Sequence, residues 1–212
     1  MFNTILFDLD GTLTNPYIGI TSGILYALEK LGVECPPRES LVTFIGPPLF
    51  DELQRRFGFD DDTAREGVRL YREYYSAGGL FENELIDGAE DLLKALKARG
   101  KRICLATSKP EEYARRILDR FRVLEYFDFV GGTTLDGRIG TKAEVIRLVL
   151  RETGADPSEC VLVGDRFHDI LGAHETGMKC ICVLVGFGSR EEYAEYGADF
   201  VAETLAEVNG LV

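Results

Sequence analysis

Two aspartates near the start of the chain have the type and spacing for chemistry on a charged substrate. Asp8 and Asp10 follow the apolar run Ile5–Phe7, and an Asp-Gly turn comes next at Gly11. A buried strand that ends in this way delivers its polar residues to a crevice, and residues two apart on a strand share one face. Adjacent carboxylates repel unless a cation or a proton lies between them. The pair predicts a site in which a cation or a proton compensates the charge, and the N–H groups of Gly11 and Thr12 could face an anion there. An ordinary loop at a strand end is the alternative.

A second acidic cluster follows a later apolar run. The predicted strand Cys160–Gly164 leads into Asp165 and Asp169, which are four apart at the start of a predicted helix and can therefore face one way. Together with Asp8 and Asp10 they make a set of four carboxylates. An all-oxygen set that leaves room for water and phosphate oxygens suits Mg²⁺ better than Ca²⁺.

Other strand ends carry groups that can bind phosphate. Thr107 and Ser108 follow the apolar run Ile103–Ala106, and their hydroxyls can either bind phosphate oxygens or cap the next helix. Lys142 opens a predicted helix, where the partial positive charge of the helix disfavours a lysine. A bound anion would resolve that conflict, and a solvated surface lysine is the alternative. Lys109, next to Ser108, competes with Lys142 for the same role.

The elements that position these residues fall into two kinds. Residues 15–82 have helical periodicity and no strand pattern, with three predicted helices that end at Gly32, Gly58 and Gly78. Further along, helices and strands alternate, which is typical of a parallel sheet. We predict an α/β fold with a Rossmann-like parallel-sheet core, residues 1–14 and 83–212, and an inserted α-helical cap, residues 15–82. Two short crossings favour a hinged lid over a rigidly docked subdomain.

Composition limits the possible partners. The 212 residues carry a formal charge of −12, which argues against binding to nucleic acid or to an anionic membrane. The chain shows neither a signal peptide nor an apolar run near the length of about 20 residues that spans a membrane, so we expect a cytoplasmic protein. Its five cysteines are predicted to be small buried hydrophobic residues in a reducing compartment; they are Cys35, Cys104, Cys160, Cys180 and Cys182.

Taken in order, the motifs resemble those of the haloacid dehalogenase superfamily of phosphatases. They are Asp8-Leu9-Asp10-Gly11-Thr12, Thr107, Lys142 and Gly164-Asp165 through Asp169. The resemblance implies that Asp8 is the nucleophile that forms an aspartyl-phosphate and that Asp10 is the general acid and base. It implies that Thr107 hydrogen-bonds the phosphoryl group and that Lys142 neutralises it and orients Asp8.

The same resemblance implies the metal site and the substrate class. Asp8, the carbonyl oxygen of Asp10 and Asp165 would bind Mg²⁺, and Asp169 would support this shell. The stretches Phe44–Pro48 and Gly164–Asp169 resemble phosphoglycolate phosphatases and 5′-nucleotidases with a helical cap after the first motif. We therefore expect Mg²⁺-dependent hydrolysis of a small phosphomonoester, either phosphoglycolate or a nucleoside monophosphate.

Alternatives of other classes stay open at this point. A phosphosugar mutase of the same fold often has an acid pair beside the metal ligand, whereas Gly164 precedes Asp165 here. A dehalogenase has no need for the acid at Asp10. A phosphoryl receiver module is shorter and keeps its acceptor in mid-chain, and a non-catalytic phosphate-binding relative would not need every motif residue. Arg166 and His168 are less typical of the family, and we expect a structural role for His168.

Overall fold

The structure is a computed structural model that describes residues 2–212, and the chain forms two compact units. One unit consists of the residues up to Asn15 together with Leu85–Val212, and the other consists of Pro16–Glu84. The sequence predicts the inserted unit at residues 15–82, and the structure has it at Pro16–Glu84. Across residues 2–212, no helix combines the length and the apolar composition needed to cross a membrane.

The larger unit is built on a six-stranded parallel sheet. In chain order the strands of the protein are β1 Thr4–Phe7, β2 Thr14–Asn15, β3 Glu84–Leu85, β4 Arg102–Pro110, β5 Phe129–Thr133, β6 Cys160–Gly164, β7 Lys179–Val183 and β8 Phe200–Ala202. The six-stranded sheet has the order β5-β4-β1-β6-β7-β8, while β2 and β3 form a separate two-stranded sheet. The fold class predicted from the sequence, a parallel-sheet α/β core, is confirmed.

Helices connect the strands of this sheet. Across residues 2–212 the helices are α1 Tyr17–Lys30, α2 Leu49–Phe57, α3 Asp61–Ala77, α4 Ala89–Ala98, α5 Glu111–Arg120, α6 Lys142–Thr153, α7 Phe167–Glu175, α8 Arg190–Tyr196 and α9 Leu205–Leu211. The first three lie in the smaller unit, together with the 3₁₀ helices Arg38–Phe44 and Gly79–Phe81. In α2 and α3 the apolar residues recur along one face, and Gly58 ends α2 in a left-handed conformation.

The central strands read as unbroken apolar runs because both faces of a parallel sheet are covered. All residues of β1 and β6 are buried. Leu6 and Leu162, on neighbouring strands, belong to a cluster that also contains Val145 and Val149 of α6 and Ile170 of α7. This packing fixes the starts of α6 and α7 relative to the carboxyl ends of the strands.

The strand order reverses direction at β1. From there the chain adds β4 and β5 on one side and then β6, β7 and β8 on the other, and Phe7 pairs with Leu105 on one flank and with Val163 on the other. In open α/β sheets, ligands bind at the carboxyl ends of strands where the order reverses. The polar residues after β1 and β6 and those in the last part of β4 therefore meet at the expected edge.

Two expectations about particular residues are wrong. Strand β1 ends at Phe7, so the strand geometry that would put Asp8 and Asp10 on one face does not persist to those residues. Of the five cysteines, Cys35 is exposed, while the other four are buried. Cys35 follows Gly32 in the connection after α1, which explains its exposure, because such connections run over the surface.

Candidate active site

Helix α6 begins with a side-chain cap that places Lys142 at its first position. The Thr141 hydroxyl accepts a hydrogen bond from the Glu144 N–H, and the Glu144 carboxylate accepts one from the Thr141 N–H at 3.0 Å. This reciprocal cap satisfies N–H groups that the helix leaves without partners. The helix start is therefore well defined, and so is the position from which the Lys142 side chain extends.

The Lys142 ammonium group lies between two carboxylates. Its Nζ is 2.8 Å from Asp8 Oδ1 and 2.8 Å from Asp169 Oδ1, and it donates to the carbonyl oxygen of Ala106 at 3.0 Å. Burial by itself lowers the pKa of Lys142, but the carboxylates of Asp169 and Asp8 outweigh burial and hold that pKa above its usual range. A permanently charged lysine thus joins the first and the last of the predicted motifs.

Asp10 has a cation of its own. Lys109 Nζ lies 2.7 Å from Asp10 Oδ2, and both side chains are largely buried. The sequence leaves Lys109 and Lys142 as competitors for one role. In the structure each has its own partners, because Lys109 pairs with Asp10 and Lys142 pairs with Asp8 and Asp169. Burial raises the pKa of Asp10 despite the opposing effect of Lys109. The other carboxylate oxygen, Asp10 Oδ1, is buried and accepts no hydrogen bond from residues 2–212.

Three carboxylates form a group that can hold a metal ion. One oxygen each from Asp8, Asp165 and Asp169 lies within 4.8 Å of the others, and all three residues are buried. Asp10 does not belong to this group, so the predicted set of four carboxylates is reduced to three. Burial raises the pKa of Asp165 well above its usual value, and the carboxylates of Asp169 and Asp8 raise it further. A hard cation bound by oxygen ligands would relieve that repulsion, so these residues fit Mg²⁺.

Asp169 organises the loop between β6 and α7 and also pairs with Lys142. Its Oδ2 accepts hydrogen bonds from the N–H groups of Asp165 and Arg166, both at 3.1 Å. Its other oxygen, Oδ1, faces Lys142. Because both oxygens of Asp169 already have partners, its geometry suits a supporting residue better than a direct ligand.

The turn after β1 packs tightly on Asp165. Gly11 has φ +86°, and a Cβ at this position would lie 2.1 Å from Asp165 Oδ2, so only glycine fits. The Thr12 hydroxyl is buried and lies 3.4 Å from Asp165 Oδ1. The N–H groups of Gly11 and Thr12 donate within the turn, to Thr14 and Leu9, which differs from the predicted arrangement in which they face an anion.

Thr107 and Ser108 lie where β4 ends beside β1. The Thr107 side chain is buried, and its hydroxyl accepts a hydrogen bond from the Lys109 N–H at 3.2 Å. A hydroxyl that accepts a bond still has its own proton to donate. Ser108 is half-buried, and its carbonyl oxygen accepts from the Thr133 hydroxyl at 2.9 Å. Thr107 therefore keeps a proton that it can donate to a phosphoryl oxygen, as the resemblance implies.

The connection after β7 also contributes contacts to the site, and the motif pattern did not predict them. The N–H group of Phe187 donates to Asp165 Oδ2 at 2.8 Å. From α8, the hydroxyl of Tyr193 reaches the carbonyl oxygen of Asp165, and Glu192 reaches the start of α7. The available signal was a glycine pair, Gly186 and Gly188, shortly after a largely buried strand.

Arg166 and His168 lie beside these residues. Arg166 Nε is 3.1 Å from Glu192 Oε1, and the two side chains are mostly buried. The ring of His168 contacts that of Phe167, with 3.8 Å between ring centroids, and Phe167 in turn stacks on Tyr196. These contacts give Arg166 and His168 structural partners at the start of α7.

Comparison with known proteins identifies the family of the chain. Residues 5–183 match the family described as haloacid dehalogenase-like hydrolase. A 5′-nucleotidase of Pseudomonas aeruginosa is 43% identical over 206 residues, which cover 95% of this chain and 93% of the relative. The tyrosine-protein kinase PtkA of Mycobacterium tuberculosis is 37% identical over 204 residues, which cover 96% of this chain and 67% of the relative.

A solved structure agrees with the sequence relatives. The crystal structure of a predicted phosphatase from Clostridium acetobutylicum has a TM-score of 0.96 and 38% sequence identity, and the match covers 100% of this chain and 98% of that one. The family match extends over most of the chain and includes the strand ends that carry the buried acids. On these findings the chain belongs to the haloacid dehalogenase-like hydrolases, as one of the phosphatases of that family.

Proposed function

We propose that the protein hydrolyses a small phosphomonoester in a Mg²⁺-dependent reaction, with Asp8 as the nucleophile. The observation that carries this proposal is the position of the Asp8 carboxylate. It lies 2.8 Å from the ammonium group of Lys142 and belongs to the buried group that contains Asp165 and Asp169. A carboxylate so surrounded is held in place at the edge of the sheet where ligands bind.

The first step forms a bond between an Asp8 oxygen and phosphorus while the bond from phosphorus to the leaving oxygen breaks. A carboxylate that approaches a phosphate dianion meets like-charge repulsion, and the fixed charge of Lys142 reduces this repulsion. The Thr107 hydroxyl donates a hydrogen bond to a phosphoryl oxygen, and Ser108 adds a second donor. These groups bind and orient the phosphoryl group.

Asp10 moves the protons. In its protonated form it donates a proton to the leaving oxygen, and it then takes a proton from the water that attacks the aspartyl-phosphate, which releases phosphate and restores Asp8. The raised pKa of Asp10 favours the protonated form that the first step needs. Lys109 keeps Oδ2 of Asp10 in place, and Oδ1 is the oxygen left for proton transfer.

Mg²⁺ would be held by the carboxylates of Asp8 and Asp165 and by the Asp10 carbonyl oxygen, with Asp169 in support. When bound, the ion supplies positive charge that offsets the phosphoryl oxygens. The proposal that Asp8 and Asp165 are ligands is supported by their all-oxygen arrangement and by the unfavourable repulsion that they show without a cation.

The substrate class is inferred from the relatives. The 5′-nucleotidase shares 43% identity across nearly the whole chain, which supports a nucleoside 5′-monophosphate over phosphoglycolate. The kinase PtkA, at 37% identity, adds a phosphotyrosine compound to the substrates worth testing.

The test is phosphate release by the purified protein, with Mg²⁺ and with EDTA. The substrates are nucleoside 5′-monophosphates, phosphoglycolate, sugar phosphates, phosphotyrosine and an aryl phosphate. We expect turnover only with Mg²⁺ and fastest with a nucleoside monophosphate. Absence of release from every substrate by folded protein would contradict the proposal, and phosphoryl transfer between sugar positions would then be measured.

The nucleophile is tested by Asp8→Asn, a nearly isosteric change. We expect phosphatase activity to fall at least about a thousandfold, because the amide cannot form the aspartyl-phosphate. Asp119→Asn is the matched control, since it makes the same chemical change at an exposed position of α5. Equal activity in the two variants would refute the assignment of Asp8.

A further inference from the structure

Helix α8, which lies beyond the part of the chain that matches the family, contacts the loop that carries Asp165. The Tyr193 side chain is 1% exposed, and its hydroxyl lies 2.9 Å from the carbonyl oxygen of Asp165 and 2.8 Å from that of Val183. The hydroxyl therefore shares its one proton between two carbonyl groups at the ends of β6 and β7, at the point where the two strands cease to pair. It ties the main chain of a candidate metal ligand to a neighbouring strand.

The preceding residue of α8 contacts the same loop. Glu192 Oε1 accepts a hydrogen bond from the Phe167 N–H at 2.7 Å and lies 3.1 Å from Arg166 Nε. Together with the two bonds to Asp169, these contacts satisfy three consecutive N–H groups, from Asp165 to Phe167, and the Asp165 carbonyl. The loop therefore has little freedom to shift, because each displacement would break a buried or partly buried hydrogen bond.

The space around this contact is filled. A Cβ at Gly188 would lie 2.1 Å from the Asp165 carbonyl oxygen and 2.6 Å from the Tyr193 hydroxyl. The Asp165 carboxylate itself is held on one oxygen by the Phe187 N–H of the same connection. Tyr193 of α8 thus contacts the main chain of Asp165, and Phe187 in the connection before α8 contacts its side chain.

We propose that Tyr193 is a positioning residue for the metal site, acting through the Asp165 carbonyl to hold the Asp165 carboxylate where it binds the cation. This proposal rests on the proposed function, in which Asp165 is a Mg²⁺ ligand. Groups that orient a metal ligand without touching the metal influence metal affinity. Their loss lowers that affinity between about 10-fold and 100-fold. Tyr193 acts through the main chain, so we expect the lower end of that range.

The experiment measures Mg²⁺ binding directly by titration calorimetry on the full chain, with Mn²⁺ binding by electron paramagnetic resonance as a second probe. Tyr193→Phe keeps the ring and removes only the hydroxyl. We expect about tenfold weaker Mg²⁺ binding. Phosphatase activity falls at low Mg²⁺ and recovers at high Mg²⁺, while KM for the phosphomonoester does not change.

Two control variants separate positioning from a general loss of stability. Tyr196→Phe removes a hydroxyl from the same helix, and its ring stacks on Phe167. Ile24→Val removes a buried methyl group from the smaller unit and should lower the melting temperature. Both variants should bind Mg²⁺ as the unmodified protein does.

The outcomes distinguish this proposal from the one on which it rests. In one outcome, the unmodified protein binds Mg²⁺ and Asp165→Asn does not, which supports the metal site. If Tyr193→Phe then binds Mg²⁺ as tightly as the unmodified protein does, the positioning role of Tyr193 is overturned. If the unmodified protein binds no Mg²⁺, the proposed metal site is wrong, and the proposed role of Tyr193 is wrong with it. A loss of affinity in Ile24→Val equal to that in Tyr193→Phe would also overturn the positioning role.

Discussion

Ion pairs of similar length occur at the sheet edge, where the strands have their carboxyl ends, and in the smaller unit, Pro16–Glu84, which we call the helical unit. Their surroundings differ greatly. At the sheet edge, the side chains of Lys142 and Lys109 are 5% and 4% exposed and lie 2.7–2.8 Å from their carboxylates. In the helical unit, Arg69 lies 2.7 Å from Glu66 and 3.1 Å from Glu73, and these side chains are about half exposed. Distance alone therefore does not distinguish the two regions, whereas burial does.

The difference shows what each set of charges is for. Water screens the exposed pairs of α3, so they contribute little to stability. Burying the charges of the sheet edge costs free energy that their mutual attraction only partly returns. A cluster that is expensive to bury and lies at the ligand-binding edge of the sheet is best explained by chemistry, and this difference between the regions can be tested by removing one cation at a time.

The largest effect is expected from Lys142→Met. The change leaves the carboxylates of Asp8 and Asp169 buried without their shared cation, so the free energy of unfolding should fall by about 3–5 kcal/mol. Activity should fall with it, because Asp8 loses its orienting partner. Urea unfolding in EDTA and phosphate release in Mg²⁺ measure the two effects.

The matched control for that variant is Lys101→Met. Lys101 is 8% exposed, like the site lysines, but its ammonium group donates to the carbonyl oxygen of Phe2 at the opposite end of the sheet. We expect unchanged activity in Lys101→Met. Equal losses of activity in both variants would mean that burial, and not the acids, makes Lys142 important.

Lys109→Met should have a smaller effect on rate and a diagnostic effect on pH dependence. Without Lys109, burial raises the pKa of Asp10 still further, because the opposing charge is gone. The falling limb of the profile of kcat/KM against pH should move to higher pH. The maximum rate should drop by less than the roughly 100-fold to 10,000-fold that a general acid contributes, because Asp10 is kept but is less well oriented. An unshifted profile would show that Asp10 is not the acid.

The fold and much of the site could be predicted because both depend on local signals. Apolar runs that end in polar residues reveal β1 and β6, and a lysine at a helix start reveals an unusual position at Lys142. Which lysine pairs with which acid could not be predicted, because the chain leaves strand geometry after Phe7. The contact from Tyr193 to Asp165 joins residues 28 apart through the packing of α8, and no spacing rule anticipates it.

The acids of the sheet edge also predict how stability depends on pH in the absence of metal. Burial and neighbouring carboxylates raise the pKa of Asp165, so the folded protein takes up a proton at a pH where the unfolded chain is ionised. Stability in EDTA should therefore rise as the pH falls below the folded pKa of Asp165 towards the usual aspartate value, by about 1.4 kcal/mol per pH unit for each proton bound, and that gain is lost as pH rises through the folded pKa.

The pH dependence can be assigned to Asp165 by its pH range, by addition of Mg²⁺ and by mutation. Carboxyls whose pKa is lowered, such as those of Asp136 and Asp199, lose their contribution only near and below pH 4, outside that window. Excess Mg²⁺ should abolish the rise, because the ion favours the ionised carboxylates. Asp165→Asn should flatten the curve in EDTA, and a curve of unchanged slope in that variant would assign the proton elsewhere.

The smallest effect is expected from Arg69→Met in the helical unit. The variant removes two ion pairs at once, one to Glu66 and one to Glu73, yet all three side chains are in contact with water. We expect almost no change in melting temperature, in Mg²⁺ affinity or in turnover, since exposed pairs are screened and solvent replaces their interactions. A loss of activity comparable to that of Lys142→Met would mean that the charges of the helical unit take part in the reaction, and the contrast based on burial would then fail.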